Sequence, residues 1–176
     1  MFTITFNGLN EAIERLSRSP SGLDRAIRSA VRRTLRGGKK DAGTKVKQRY
    51  TIKAGEVIRT IKLRQSGFSG SMTSSGSRNP LKKFMIRPRS RPRKMPPGGV
   101  FAMNVIGQGG QIRRAFLMRS GNVFERVGRS RYPIKHITGP AAPQMLGNPV
   151  VGPWIEAKMY QRLGINLDHE LAYFLG

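Results

Sequence analysis

The chain of 176 residues contains no cysteine. That excludes disulfides, thiolate zinc sites, iron–sulfur clusters and cysteine nucleophiles, and it fits an origin in a reducing cytosol. Acidic residues are scarce: nine Asp and Glu stand against 33 Lys and Arg, and none lies between Val57 and Phe124. Paired carboxylates for hydrolysis or two-metal chemistry are therefore missing from the middle of the chain. Histidine occurs twice, as His136 after Lys135 and as His169 between Asp168 and Glu170. A histidine flanked by acids suits a metal ligand or a general base. Three consecutive helical positions point in different directions, however, and do not converge on one ion. Gly107–Gly110 lacks the Lys-Ser or Lys-Thr of a phosphate-binding loop, and no Gly-x-Ser-x-Gly elbow is present. No apolar run approaches the roughly 20 residues of a membrane span, and the first residues lack the pattern of a secretory signal. The expectation is a protein that is not an enzyme, with no cofactor, no metal and no membrane partner.

What the chain has instead is positive charge. The net charge is +24, several-fold beyond the magnitude of about 2–8 usual for a small domain. It is concentrated: 29 Lys and Arg between Arg25 and Lys135 face only Asp41, Glu56 and Glu125. Such an excess repels itself, so a polyanion or an acidic protein surface is the expected neighbour. The length suits a single domain over residues 1–176.

The pattern of apolar residues predicts an α+β fold. Phe2, Ile4 and Phe6 alternate with polar residues as in a half-buried strand. Leu9, Ile13 and Leu16 suit a short helix. Leu23, Ile27, Ala30, Val31 and Leu35 form one stripe that resumes at Ala42, Val46 and Tyr50, which predicts a long helix over 23–49, with Gly37-Gly38 as a weak point or bend. The Gly- and Ser-rich stretch 65–79 reads as a mobile loop. Leu81 to Ile86 reads as a strand, and the Pro/Arg stretch 87–97 as an extended basic arm. Further short strands are expected at 100–105, 116–118, 123–127 and 132–137, with turns at 107–110 and 120–122. Gly139-Pro140 is expected to end the last strand, followed by a short helix near 140–146. The stretch 150–175 reads as helical with a kink or break near Gly164 and Asn166. The sum is a long basic N-terminal helix on a small, mostly antiparallel sheet or partial barrel of four to five strands, closed by C-terminal helices.

Two basic elements are candidate contacts for DNA or an acidic partner. One is the helix face bearing Arg25, Arg28, Arg32, Arg33, Arg36, Lys39 and Lys40. The other is the arm bearing Arg87, Arg89, Arg91, Arg93 and Lys94. Guanidinium forks interspersed with Pro and Ser suit phosphate oxygens without base reading, as in backbone contact with duplex DNA. Aromatic residues interleave poorly with these cations, so a single-strand platform is not expected here.

The run Arg131, Pro133, Ile134, Gly139, Pro140, Pro143, Gln144 and Met145 resembles the "R-x-P-I-x-x-x-x-G-P-x-x-P-Q-M" element of the phage minor tail protein Z family, also called tail completion proteins. Arg49, Tyr50, Ile52, Lys53 and Ala54 are similar to the family's "R-Y-x-I-K-A" element, and Asp168–Leu171 looks like its closing acidic helix. The resemblance covers most of the chain; the arm at 87–97 is not part of it. It implies a structural protein of a tailed bacteriophage, made in the host cytoplasm and located in the virion. The expected place is the head-proximal end of the tail or the head–tail junction. There the resemblance implies a homo-oligomeric ring, sixfold by expectation, beside tail-tube and neck proteins and around double-stranded DNA. Within the motif, Pro133, Gly139, Pro140, Pro143 and Gln144 are expected to set backbone shape rather than bind. The rival expectation is a nucleic-acid-binding protein of phage or host without sequence preference, of ribosome-associated or nucleoid type.

Overall fold

The computed structural model describes residues 1–6 and 22–175. The helix expected over Leu9–Leu16 lies outside the described residues. Helix α1 runs unbroken over Gly22–Arg49. Ile27, Ala30, Val31, Leu35, Ala42 and Val46 are all buried along one side, as the spacing predicts. Asp24 in its first turn and Lys47 and Arg49 in its last complement the helix dipole. Helix α2 (Ala54–Ile58) follows directly, and α3 (Ala142–Leu146) and α4 (Gly152–Leu175) close the chain.

Gly37-Gly38 does not interrupt α1. It lies against α4. A Cβ on Gly38 would sit 2.7 Å from Met159 Cγ and Sδ, and one on Gly37 would sit 3.1 Å from Arg162 Cδ. The seam is fastened at its sides. Arg162 donates from both Nε and Nη2 to the Asp41 carboxylate, the second bond at 2.9 Å. Asn166 Nδ2 donates to the buried Thr34 hydroxyl at 2.9 Å, and the Lys45 ammonium lies 4.6 Å from the centre of the Trp154 ring. The break expected in the last helix is absent: Gly164 meets open space and Asn166 is held by Thr34, so α4 continues through both.

Beside the α4 seam, α1 also rests on a three-stranded antiparallel sheet ordered β1 (Phe2–Phe6), β3 (Ser69–Ser74), β2 (Ile61–Ser66). The reading of 65–79 as a mobile loop is overturned here, because its middle is the central strand of this sheet. Gly70, Met72 and Ser74 turn inward and are buried. A Cβ on Gly70 would stand 2.9 Å from Leu35 Cδ1, so the small residues let the helix lie close to the strand. The buried Ser74 hydroxyl is satisfied by Thr60 Oγ1 at 2.8 Å. Composition alone takes such a segment for a linker.

A second group of strands follows. Leu81–Lys83 is a 3-10 turn rather than a strand, and β5 is only Met85–Arg87. With β6 (Val100–Val105) and β7 (Gln108–Ile112) it forms the sheet β5-β6-β7. The expected turn at 107–110 shrinks to Ile106-Gly107, where Gly107 has φ +82°. Gly109 belongs to β7 and lies under the ring of Phe101, whose Cζ would be 2.4 Å from an added Cβ. Strands β8 (Ala115–Leu117), β9 (Val123–Arg126) and β10 (Ile134–His136) form another antiparallel sheet. The hairpin at 120–122 forms as expected, with Gly121 at φ +75°. Leu81, Ile86, Val100, Ala115, Leu117 and Val123 make a small core of their own. The larger core joins α1, α3, α4 and the first sheet through residues such as Val46, Met72, Met145, Ile155 and Met159.

Two fasteners tie the parts together. Strand β4 (Arg78–Pro80) pairs antiparallel with β11 (Thr138–Ala141). Thr51, just past α1, donates its hydroxyl to the Met103 carbonyl and accepts the Met85 amide at 3.0 Å. Gly139-Pro140 therefore does not end a strand; it lies within β11. Among the described residues eleven strands are present, against the four to five expected, and they form separate sheets with no closed barrel.

Glu56 of α2 also reaches the second group, through Lys83 Nζ at 2.6 Å. The hydrogen bond from Lys83 lowers the Glu56 carboxyl below its ordinary 4.5, desolvation opposes the shift, and the charges of Lys83, Arg59 and Lys53 add to the lowering. A depressed carboxyl stabilises the fold fully above its unfolded value and loses that contribution as pH falls through the folded one. Thermal melts of the native chain and Glu56→Gln are thus expected to differ by less than about 1 kcal/mol at neutral pH. The gap closes as the solution is acidified below 4.5. At the helix seam, Gly38→Leu is expected to destabilise by about 1–3 kcal/mol through overpacking. Gly55→Ala, which meets nothing within 4 Å, is expected to gain up to about 1 kcal/mol from helix propensity. Denaturant midpoints check both.

Candidate nucleic-acid interface

The seven candidate cations on α1 divide by what lies beside them. Arg25, Arg28 and Arg32 line an open groove with Asp24 and Ser29. The Arg28 guanidinium also lies 5.7 Å from the centre of the Phe68 ring. Arg36 and Lys40 are exposed, and no ion pair among the described residues involves Arg25, Arg32, Arg36 or Lys40. Two others are occupied within the fold. Arg33 pairs with Glu170 of α4 at 2.9 Å, and Lys39 Nζ donates to the Ile61 carbonyl at 2.7 Å. These two fasten α1 to its neighbours, and the outward stripe is carried by Arg25, Arg28, Arg32 and Arg36.

The arm at 87–97 is irregular, as its prolines require, but it is not free-standing. It leaves β5 at Arg87, and Met95 packs on the smaller core. It closes with Gly99 N–H donating to the Pro96 carbonyl at 2.9 Å. Arg87, Arg89, Arg91, Arg93 and Lys94 all remain exposed. Arg91 and Arg93 form one wall of a cleft of about 420 Å³ whose other wall includes Phe116, Arg126, Arg131, Tyr132 and Ile134. Between Leu81 and Ile137 the chain carries fourteen Lys and Arg against Glu125 alone.

A row of rings that the sequence pattern did not single out begins at the cleft, where only its first member, Phe116, belongs to the lining. In the antiparallel register Phe116 faces Phe124, and Phe124 faces His136. The three rings form a row across β8, β9 and β10, with centroids 6.4 and 4.9 Å apart. Arg126, two residues beyond Phe124, lies 5.5 Å from the Phe116 ring centre, and Arg131 lies 5.7 Å from that of Tyr132. The hairpin turn at 120–122 was the signal that pairs 116 with 124; nothing short of the fold brings the arm to the same place.

The motif residues hold a corner. Gly139 is buried against Phe84, whose Cε2 would be 2.5 Å from a Cβ. The Pro140 carbonyl accepts from Asn79 Nδ2 at 2.9 Å. Pro143 is buried in the first turn of α3, and Gln144 Oε1 accepts the Ala141 amide at 3.0 Å. Pro133 is exposed and follows a cis peptide bond. His136 and His169 are both exposed. Among the described residues no group of three His, Asp or Glu could hold a metal ion, and no helix is long and apolar enough to cross a membrane.

The division of the α1 cations has a measurable consequence. Arg36→Gln is expected to leave the melting behaviour within about 0.5 kcal/mol of the native chain. Arg33→Gln strands a mostly buried Glu170 and is expected to cost about 1 kcal/mol. Urea denaturation of the two variants, measured side by side, checks the contrast. No protein-family model matches the chain, and no curated protein and no solved structure is significantly similar to it.

Proposed function

We propose that this chain is a structural protein of a tailed bacteriophage, a tail-completion or terminator-type ring component at the head-proximal end of the tail. In this reading it supports tail assembly or joining and the passage of DNA. The observation that carries the reading is the motif from Arg131 to Met145, whose Gly139, Pro140 and Gln144 are each held by a specific contact in the corner between the two cores. The charge distribution supports it. Arg25, Arg28, Arg32 and Arg36 on α1 and the arginines of the arm lack internal carboxylate partners among the described residues, so their field acts outward on a polyanion or an acidic neighbour. Copies join side by side into a ring, sixfold by this reading, and the cations face the DNA in its lumen or the acidic surface of an adjoining ring. The arm is already packed on the smaller core, so it presents its arginines without first having to order.

The test is charge reversal in the assembling particle. With Arg89, Arg91 and Arg93 all changed to Glu, electron microscopy is expected to show tails of normal length that fail to join heads or to position DNA. Unaltered particles would remove the arm from the mechanism, and absence of the protein from purified particles would overturn the assignment to the virion.

A further inference from the structure

We infer that the face of the β8-β9-β10 sheet turned away from the smaller core is a binding site for single-stranded nucleic acid, with unpaired bases on its row of rings and phosphates on the nearby guanidinium groups. The argument begins with strand alternation. Phe116, Phe124, Arg126, Ile134 and His136 fall on one face by register, whereas Ala115, Leu117, Val123 and Glu125 fall on the other. Ala115, Leu117 and Val123 on that second face fill the smaller core. The first face thus keeps three flat rings, one per strand, and the only acid of the region is directed away from it.

Phe116 and Phe124 are half-buried and His136 is exposed, so the fold covers this row only in part and an occupant would complete the cover. The rim narrows the choice of occupant. Arg91 and Arg93 come from the arm, Arg126 from β9 and Arg131 from the loop before β10, all around one cleft. Arg126 and Arg131 lie over rings at 5.5 and 5.7 Å, an arrangement that leaves in-plane N–H donors available to oxygen acceptors. An occupant must therefore supply flat apolar faces and regularly spaced anions together. Unpaired bases on a phosphodiester chain do so, because each base has a π face to stack and each linkage carries a charge. A duplex hides its base faces and meets only the guanidinium groups.

The inference deepens the reading of the basic surface as a polyanion contact, and its test is independent of particle assembly. The full-length protein is titrated with fluorescein-labelled oligothymidylate and with a duplex of equal length at one salt concentration. Phe124→Ala is expected to weaken oligothymidylate binding roughly tenfold while changing duplex binding by less than about twofold. Phe124→Leu keeps apolar bulk on the face, so it guards against misfolding, and it is expected to show the same selective loss. Arg126→Gln is expected to weaken both ligands and to reduce the salt slope by about one. Equal losses for the two ligands in the Phe124 variants, or a Leu variant that binds oligothymidylate as the native chain does, would overturn the inference. So would a Phe124→Ala protein that loses a homo-oligomer seen by sedimentation yet binds oligothymidylate normally, since the face would then belong to a second copy. Intact oligothymidylate binding by a chain absent from phage particles would count against the virion assignment alone.

Discussion

Where Gly38 meets Met159 the two long helices leave no space for another carbon atom. That close approach sets the position of nearly everything else. With α4 and β3 both against α1, the remaining side of the long helix is left to solvent, and Arg25, Arg28, Arg32 and Arg36 lie along it. The small residues recur at both contacts for one reason. Gly37 and Gly38 admit Arg162 and Met159, while Gly70 admits Val31 and Leu35. Contact at this range recovers the dispersion energy that a looser seam would forfeit. It does so in a chain whose self-repulsion opposes compactness.

Against that repulsion the fold uses its few acids inside. Asp41 takes Arg162, Glu56 takes Lys83, and Glu170 takes Arg33. Each pair joins two different elements, so these three carboxylates act as fasteners between parts. Thr51 does similar work without charge, since one hydroxyl serves as donor to Met103 and acceptor from Met85. Tyr50 beside it accepts from Asn148 Nδ2 at 3.2 Å. The Arg-Tyr-Thr-Ile stretch at the end of α1 is thereby the point where helix, second sheet and C-terminal segment meet.

Much of this was legible in the residue order. The stripe from Ile27 to Val46 gave α1 nearly to the residue, and the alternation at Phe2 and Ile4 gave β1, because each pattern has a period that only one local structure satisfies. The segment 65–79 was misread for lack of such a period. Gly70, Met72 and Ser74 are an inward face whose apolarity is low because a helix lies on it, and only the helix reveals this. Gly164 and Asn166 misled in the opposite sense: intrinsic propensity argues for a break, and the hydrogen bond to Thr34 overrides it. The candidate site was half visible. The arginines of the arm declare themselves in sequence, but Phe116, Phe124, His136 and Arg131 are separated by turns, and their convergence is a matter of register. Lys39 and Arg33 show what the sequence leaves out, since a cation on a helix reads the same whether or not it also meets a neighbour's carbonyl or carboxylate.

The pairing of Arg78–Pro80 with Thr138–Ala141 places the chain's way into the second group of strands directly beside its way out. The fifty-odd residues between them have their own apolar centre and return to the point of departure. An excursion built in this manner is exchangeable. Its length, its loops and its armament of arginines can be rewritten over generations while the helices that anchor it keep their packing, provided the Thr51 clasp and the Glu56 contact find equivalents. Variation is then expected to accumulate in the excursion, with the glycine contacts at the helix seam changing least.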